Sequence, residues 1–274
     1  MGEDAATARR LQLLTGERTA PGIAQEAYWF ARHEAAYAWA TGALGPVHRA
    51  LDAGCGEGYG TKALRQVATM ACGLELDELT AHHARVTYPD ACFLRANLVA
   101  LPLRDRSFDL VASMQVIEHL WDVRAYLGEI VRVLAPGGHA CITTPNRPVF
   151  SPGLERGQRP VNPFHVEEFD AHQLSELLSE AGLVDVRIHG LRHGPRIAAW
   201  ELAHGSLVGA LIASISGEPS PPDLGPFTES VTLQDFSITD SSGTESNTFD
   251  ADVTHLGNLD QSPVQDLIAI GRAP

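Results

Sequence analysis

Residues 51–64 read "LDAGCGEGYGTKAL", an apolar run that opens into four glycines at alternate positions, Gly54, Gly56, Gly58 and Gly60, and then into a helical pattern. Glycine lets a strand turn sharply into a helix with no Cβ in the way, so a ligand can lie against bare main chain at the helix N-terminus. Strand, glycine turn and helix in that order are one unit of an alternating chain. Outward from this unit, the hydrophobic pattern predicts strands near 47–53, 70–75, 91–95, 108–113 and 138–143, with helices near 59–68, 78–87 and 122–134. Parallel strands joined by such crossovers carry helices on both faces, so the expected fold class is α/β, a doubly wound and mostly parallel sheet. Farther on, "DAHQLSELLSEAGL" predicts a helix stopped by Gly182, "VDVRIHG" a strand, and "VQDLIAIGR" a last strand.

Three segments stand apart from that series. Residues 1–45 are expected to form an N-terminal helical lid, with an aromatic-rich helix over 23–42, ahead of a main domain over 46–274. Residues 144–166, "TPNRPVFSPGLERGQRPVNPFHV", hold five prolines and no helical period, a length of loop that usually has a function. Residues 217–263 combine Pro and Gly clusters with the polar run "TDSSGTESNT" and read as a partly irregular acidic insertion.

The formal net charge is −14, and no Lys or Arg stands between Arg196 and Arg272, where eleven Asp and Glu do. Phosphate backbones are held by clustered Lys and Arg, so nucleic acid is excluded as the expected partner. The four cysteines form no C-x-x-C pair and the first residues lack the apolar core of a signal peptide, which together predict the reducing cytoplasm. The strongly apolar "LVGALIASI" is far short of the ~20 residues a spanning helix needs, so no membrane span is expected. No metal cluster is announced: His82 and His83 are adjacent on a helix, and Glu118 with His119 is a poor lone ligand pair.

What could occupy the glycine turn is narrowed by spacing. The dinucleotide fingerprint G-x-G-x-x-G/A fails from Gly54 and from Gly56, because its last position falls on Tyr59 or Thr61. A phosphate-cradling G-K-[ST] is absent. Glu75, 21 residues after Gly54 at the end of the second strand, suits hydrogen bonds to ribose hydroxyls, a feature shared by dinucleotide and adenosyl binders. Asp52, two residues ahead of the glycines, suits either a ligand ammonium or a cap on the turn. A ligand without a pyrophosphate fits best.

"LDAGCGEGYG", "GLELDE", "ANLVALPLRDRSFDLVASMQVIEHL" and "RVLAPGGHACITTPN" resemble, in order and spacing, the motifs of class I S-adenosylmethionine-dependent methyltransferases, which have a Rossmann-like sheet. The resemblance implies S-adenosylmethionine as cofactor. Its methionine part would lie on Gly54, Gly56 and Gly58, its ribose on Glu75 beside Leu76, its adenine by Asn97 and Leu98, and its sulfonium near Gln115. Asn97 departs from the Asp often found there, although its carbonyl oxygen can still accept the adenine amino group's hydrogen bond.

A sulfonium is a good leaving group, so holding the acceptor in line is the main demand, with proton removal added for an alcohol. Near neutral pH a histidine suits that proton transfer. His165, in "VNPFHVEEF", is the leading candidate base and His119, in "VIEHL", the second; either could instead serve packing or support a loop. Asn146, Arg147 and Asn162 in the proline-rich loop, together with Glu118 and Tyr28, suit hydrogen bonds or stacking to a polyhydroxylated acceptor. Packing is the commoner role for an aromatic at helical spacing such as Tyr28.

"LTGERTAPGIAQEAYWFARHEAAY", "TPNRPVFSP", "NPFHVEEF", "GLRHGPR" and "DLIAIGR" further resemble the actinobacterial enzymes related to the 1-O-methyltransferase of mycobacterial methylmannose polysaccharides. That narrower resemblance implies a mannoside hydroxyl acceptor, polysaccharide biosynthesis and a homodimer, and it leaves room for Mg²⁺ held by carboxylates and waters. Open beside it stand another small-molecule acceptor methylated at oxygen, nitrogen or carbon, a non-catalytic cofactor-binding protein, and a nicotinamide oxidoreductase.

Overall fold

The structure, a computed structural model, describes residues 19–215, 217–239 and 263–274. The first part of the expected N-terminal region, 1–18, and residues 240–262 of the expected acidic insertion lie outside the described residues. Eight strands form one sheet: β1 (Val47–Ala53), β2 (Ala68–Glu75), β3 (Cys92–Arg95), β4 (Phe108–Met114), β5 (Leu134–Pro145), β6 (Val184–His193), β7 (Phe236–Thr239) and β8 (Val264–Arg272). Their order is β3-β2-β1-β4-β5-β8-β6-β7. β3, β2, β1, β4 and β5 run parallel, and β8 enters antiparallel between β5 and β6. The order of strands reverses between β1 and β4, and in such sheets a ligand crevice opens there at the carboxyl ends. The α/β, doubly wound, mostly parallel reading is what the chain adopts.

The helices are α1 (Ala27–Leu44), α2 (Tyr59–Leu64), α3 (Glu78–Thr87), α4 (Val123–Val133), α5 (Arg147–Phe150), α6 (Ala171–Glu180), α7 (Pro195–His204), α8 (Leu207–Ile215) and α9 (Leu224–Glu229). Aspartates start three of them: Asp77, Asp122 and Asp170 each accept a hydrogen bond from the backbone N–H three residues on, satisfying a donor the helix cannot. α4 buries Tyr126, Leu127, Ile130 and Val133, one face at helical spacing, in a core with Leu51, Leu74, Val111 and Ile142 from β1, β2, β4 and β5.

Several boundaries differ from the sequence reading, the N-terminal helix among them, which runs over Ala27–Leu44 and not 23–42. α2 stops at Leu64 instead of running to 68, and β2 begins two residues early, with Arg65 donating from its guanidinium to the Ala68 carbonyl at 2.8 Å. β5 begins at Leu134 and passes through Gly138, where a Cβ would press on the carbonyl oxygens of Ala135 and Asp109 at 2.9 and 3.0 Å; only glycine lets the strand continue there. The proline-rich loop opens with α5, whose Pro148 fits the first turn of a helix.

The chain forms two compact units, one of residues up to Ala35 with His193–Ser237, the other of Ala36–Arg192 with Ile238–Pro274. In the smaller unit the Tyr28 hydroxyl and His193 Nε2 are 2.8 Å apart, and His193 Nδ1 lies 3.0 Å from Glu201 Oε2. Arg196 grips both oxygens of Asp235 at 2.6 and 2.7 Å. The larger unit carries β1 to β5 and the crevice at their ends. Among the described residues no single helix is long and apolar enough to cross a membrane.

Candidate functional site

The turn after β1 is held by its neighbour: Gly54 N–H and Cys55 N–H both donate to the Leu74 carbonyl of β2 at 2.9 Å. Gly54, Gly56 and Gly58 have φ of 86°, 50° and 89°, the left-handed region where a Cβ is strained. At Gly54 a Cβ would also meet Val116 at 2.5 Å, and at Gly58 it would meet Ala84 and Phe93 at 2.9 Å. At Gly56 it would meet nothing within 4 Å. Packing therefore accounts for two of these glycines, whereas the third faces open space, where a side chain would stand between a ligand and the main chain.

Glu75, at the end of β2, lies beside that open position. Its Oε2 accepts from Gly56 N–H at 3.1 Å and its Oε1 from Asp77 N–H at 2.9 Å, so the carboxylate is fixed in place beside the turn. Asp52 is different. It is fully buried, with Oδ1 accepting from the Tyr37 hydroxyl at 2.8 Å and Oδ2 from Thr61 at 2.7 Å, and burial pushes its carboxyl up to about 6. It ties α1 and α2 to the turn. The fourth glycine, Gly60, is required by the same tie, because a Cβ there would fall 2.0 Å from the Tyr37 ring.

Of the remaining expected cofactor residues, Leu76 is exposed beyond the end of β2, Asn97 is exposed with Oδ1 accepting from Val99 N–H at 3.2 Å, and Leu98 packs into the core. Gln115 directly follows β4 with φ of 56°, an uncommon conformation for a side chain that is not glycine. Its N–H donates to the Thr143 carbonyl and its amide to the Thr143 hydroxyl, each at 3.1 Å. The glycine turn, Glu75, Asn97 and Gln115 thus stand at or just beyond the carboxyl ends of β1, β2, β3 and β4.

A second wall forms where β4 and β5 end. Backbone N–H groups of Val166 and Glu167 donate to the Glu118 carbonyl at 2.7 and 3.3 Å, which draws the proline-rich loop onto the turn Ile117–His119. His119 and His165 meet edge to face, ring centroids 5.0 Å apart. His165 Nδ1 lies 2.7 Å from Glu168 Oε1, and its Nε2 2.9 Å from the Asn162 amide nitrogen. The amide orientation is fixed because Asn162 Oδ1 accepts from Phe164 N–H at 3.0 Å, so the amide donates to Nε2. His165 therefore carries its proton on Nδ1, donates it to the buried Glu168, and accepts the Asn162 amide N–H at Nε2. Glu118 is almost fully buried, accepts from the Thr144 hydroxyl at 3.1 Å, and burial pushes its carboxyl up to about 7, against the opposing pull of His165.

The expected acceptor residues separate here. Asn162, Glu118, His119 and His165 come together. Asn146 instead donates to the Val264 carbonyl at 3.0 Å, and Arg147 is bonded to Asp170 and Gln173; both are spent on anchoring the loop. Tyr28 is fully buried and bonded to His193 in the smaller unit, so no ring face is presented to a sugar. Glu168, Tyr37 and Thr61 escaped the sequence reading. The spacing of His165 to Glu168 was the one local signal available, and no local pattern pairs Tyr37 with Asp52.

A family profile described as "Methyltransferase domain" matches residues 51–142. A probable S-adenosylmethionine-dependent methyltransferase of Mycobacterium tuberculosis is 43% identical over 230 residues, covering 82% of this chain and 81% of its own length. One from Mycolicibacterium smegmatis is 42% identical over 233 residues, covering 82% and 87%. Among solved structures, a SAM-dependent methyltransferase of Thermotoga maritima, described as a possible histamine N-methyltransferase, superposes with a TM-score of 0.59 at 16% identity, over 99% of this chain and 97% of that one. That last likeness concerns the fold. The names of the two sequence relatives stop at methyl transfer and specify no saccharide.

Proposed function

Because the chain belongs to the S-adenosylmethionine-dependent methyltransferases, we propose that it methylates a hydroxyl group of a saccharide, with a mannoside or related sugar as the expected acceptor. When bound, S-adenosylmethionine supplies an electrophilic methyl on a sulfonium that departs as a neutral thioether. The open main chain at Gly56, with Gly54 and Gly58, would receive its methionine part, Glu75 its ribose and Asn97 its adenine. The observation that carries the acceptor reading is the imidazole of His165, its tautomer set by Glu168 and Asn162, whose basic Nε2 would exchange the Asn162 amide for the acceptor hydroxyl. Such a nitrogen takes the proton from an attacking hydroxyl, and Glu168 stabilises the imidazolium that results. The sugar itself is supported by the likeness of "TPNRPVFSP", "NPFHVEEF" and "GLRHGPR" to the methylmannose enzymes.

The purified protein, given methyl-labelled cofactor and a panel of mannosides, glucosides and non-sugar phenols, is expected to label a mannoside hydroxyl. Cofactor binding by calorimetry together with labelling of the phenols alone would reject the sugar and leave methyl transfer standing. We also take residues 1–45 as a lid: S-adenosylhomocysteine should change limited proteolysis near 15–40, and unchanged cutting would count against it. Sedimentation is expected to give a homodimer.

A further inference from the structure

Glu118 and His119, adjacent in the chain, are a poor lone pair of ligands; the fold supplies a third. Ligand atoms of Glu118, His119 and His165 all lie within 4.8 Å of one another. We propose that these three side chains form a binding site for a divalent transition-metal ion. Metal–ligand bonds of about 2.0–2.2 Å need donor atoms only roughly 3–3.5 Å apart, which small side-chain rotations supply. His119 Nε2 is 4.0 Å from Glu118 Oε1, so carboxylate and imidazole already face one point.

The support behind the ligands argues for the same assignment. A ligating histidine is characteristically held through its other ring nitrogen by a carboxylate or a backbone carbonyl. His165 has Nδ1 on Glu168 at 2.7 Å, and His119 has Nδ1 on the Phe164 carbonyl at 3.2 Å. A carbonyl can only accept, so His119 too carries its proton on Nδ1 and its lone pair on Nε2. Both imidazoles are thus set in the tautomer that metal ligation through Nε2 requires. Glu118 is held by the Thr144 hydroxyl and nearly removed from water, where a carboxylate is costly unless a cation accompanies it. His165 exchanges the Asn162 amide for the ion.

Two imidazoles and one carboxylate select a zinc-like or iron-like ion over Mg²⁺, which favours oxygen donors and water. Three protein ligands leave coordination positions open, and a hydroxyl bound there would lose its proton more readily. Ion binding does not depend on the methyl acceptor; only that use of it rests on the O-methylation reading. An ion and the acceptor's proton compete for the same Nε2 lone pair, so in metal-loaded protein His165 is a ligand, not the base.

The test uses the untagged full chain, stripped with a chelator and titrated with Co²⁺ while its visible d–d absorption is followed. One equivalent is expected to bind. His119→Gln and His165→Gln should each remove the band, and Glu168→Gln should weaken binding by ~10–100-fold, all with S-adenosylhomocysteine affinity retained as the check on folding. No band, or a band that persists in both histidine variants, would overturn the site, and either result would leave cofactor binding and base catalysis untouched.

Discussion

The two walls proposed for the cofactor and for the acceptor are built by different means. The cofactor wall is made of consecutive residues, 52–60, and one carboxylate at the end of the next strand, so main chain does the holding and side chains are removed from it. The acceptor wall is made of side chains brought together from 118–119 and 162–168 by two backbone hydrogen bonds to one carbonyl. The first wall is fixed by the strand-turn-helix it belongs to. The second exists only once β4 and β5 lie side by side. Damage to each should therefore read out differently, cofactor affinity for the first and turnover for the second.

The sharpest separation is expected from His165→Ala. Loss of the base lowers kcat by ~10²–10⁴-fold, while calorimetry gives an unchanged cofactor affinity. Glu168→Gln should lower kcat less and move the acidic limb of the pH–rate profile to lower pH, because a base works unprotonated and the glutamate acts only by stabilising the imidazolium. A fall in cofactor affinity that matches the fall in rate would merge the two walls and undo the contrast.

The same contrast governs what the sequence reveals. Alternate glycines and an acid 21 residues on are local signals, and they mark the cofactor wall before any strand is paired. His165 stands out only as one of twelve histidines, and its partners Glu118 and His119 lie some 45 positions away. Asn146, Arg147 and Tyr28 show the converse. Their residue types suit a sugar, but the fold spends their polar groups on the Val264 carbonyl, on α6 and on His193. Composition reports capacity for hydrogen bonding; only packing decides where that capacity goes. The early starts of β2 and β5 come from contacts that hydrophobic periodicity does not report: Arg65 bonds the Ala68 carbonyl that opens β2, and Gly138 lets β5 pass the Asp109 carbonyl of β4.

Asp52 offers a pH test within the cofactor wall. Its folded-state value of about 6 stands above its ordinary 3.8, chiefly through burial. The folded protein therefore holds that proton more tightly than the unfolded chain. Stability associated with it is full below pH 4 and is lost as pH rises through 6, by about 3 kcal/mol at 1.36 kcal/mol per pKa unit. Glu118, pushed from 4.5 up to about 7, adds a loss of the same sign at slightly higher pH. In urea unfolding of cofactor-free protein between pH 4 and 7, Asp52→Asn should remove the lower part of this decline and leave the upper part. Parallel curves for the two proteins would mean that the carboxylate is not buried as described.

Glu75→Gln comes next in size. A hydrogen bond to a charged acceptor contributes about 1.5–3 kcal/mol, so the cofactor Kd should rise ~10–100-fold, with kcat at saturation nearly unchanged. Gln keeps one oxygen for Gly56 N–H or Asp77 N–H but not both, so part of the loss comes from a loosened turn. Comparing affinity for the cofactor with affinity for its 2′-deoxy analogue isolates the diol: the variant should distinguish the two less than the native protein does.

The smallest expected effect is a gain. Asn97 stands just beyond β3, exposed, with its Oδ1 accepting from Val99 N–H. Aspartate at this position keeps that bond, since a carboxylate oxygen accepts from the same N–H, and offers its second oxygen to an adenine amino group in place of an amide that can only donate. Charge-assisted hydrogen bonds are roughly twice as strong as neutral ones, but exposure to water screens much of the difference. Asn97→Asp should therefore tighten cofactor binding by only about 2–5-fold, more at low salt than at high, with kcat unaltered. The gain should vanish when the adenine amino group is replaced by the inosine carbonyl, which repels a carboxylate. Equal tightening for both nucleosides would place the adenine elsewhere and remove Asn97 from the cofactor wall.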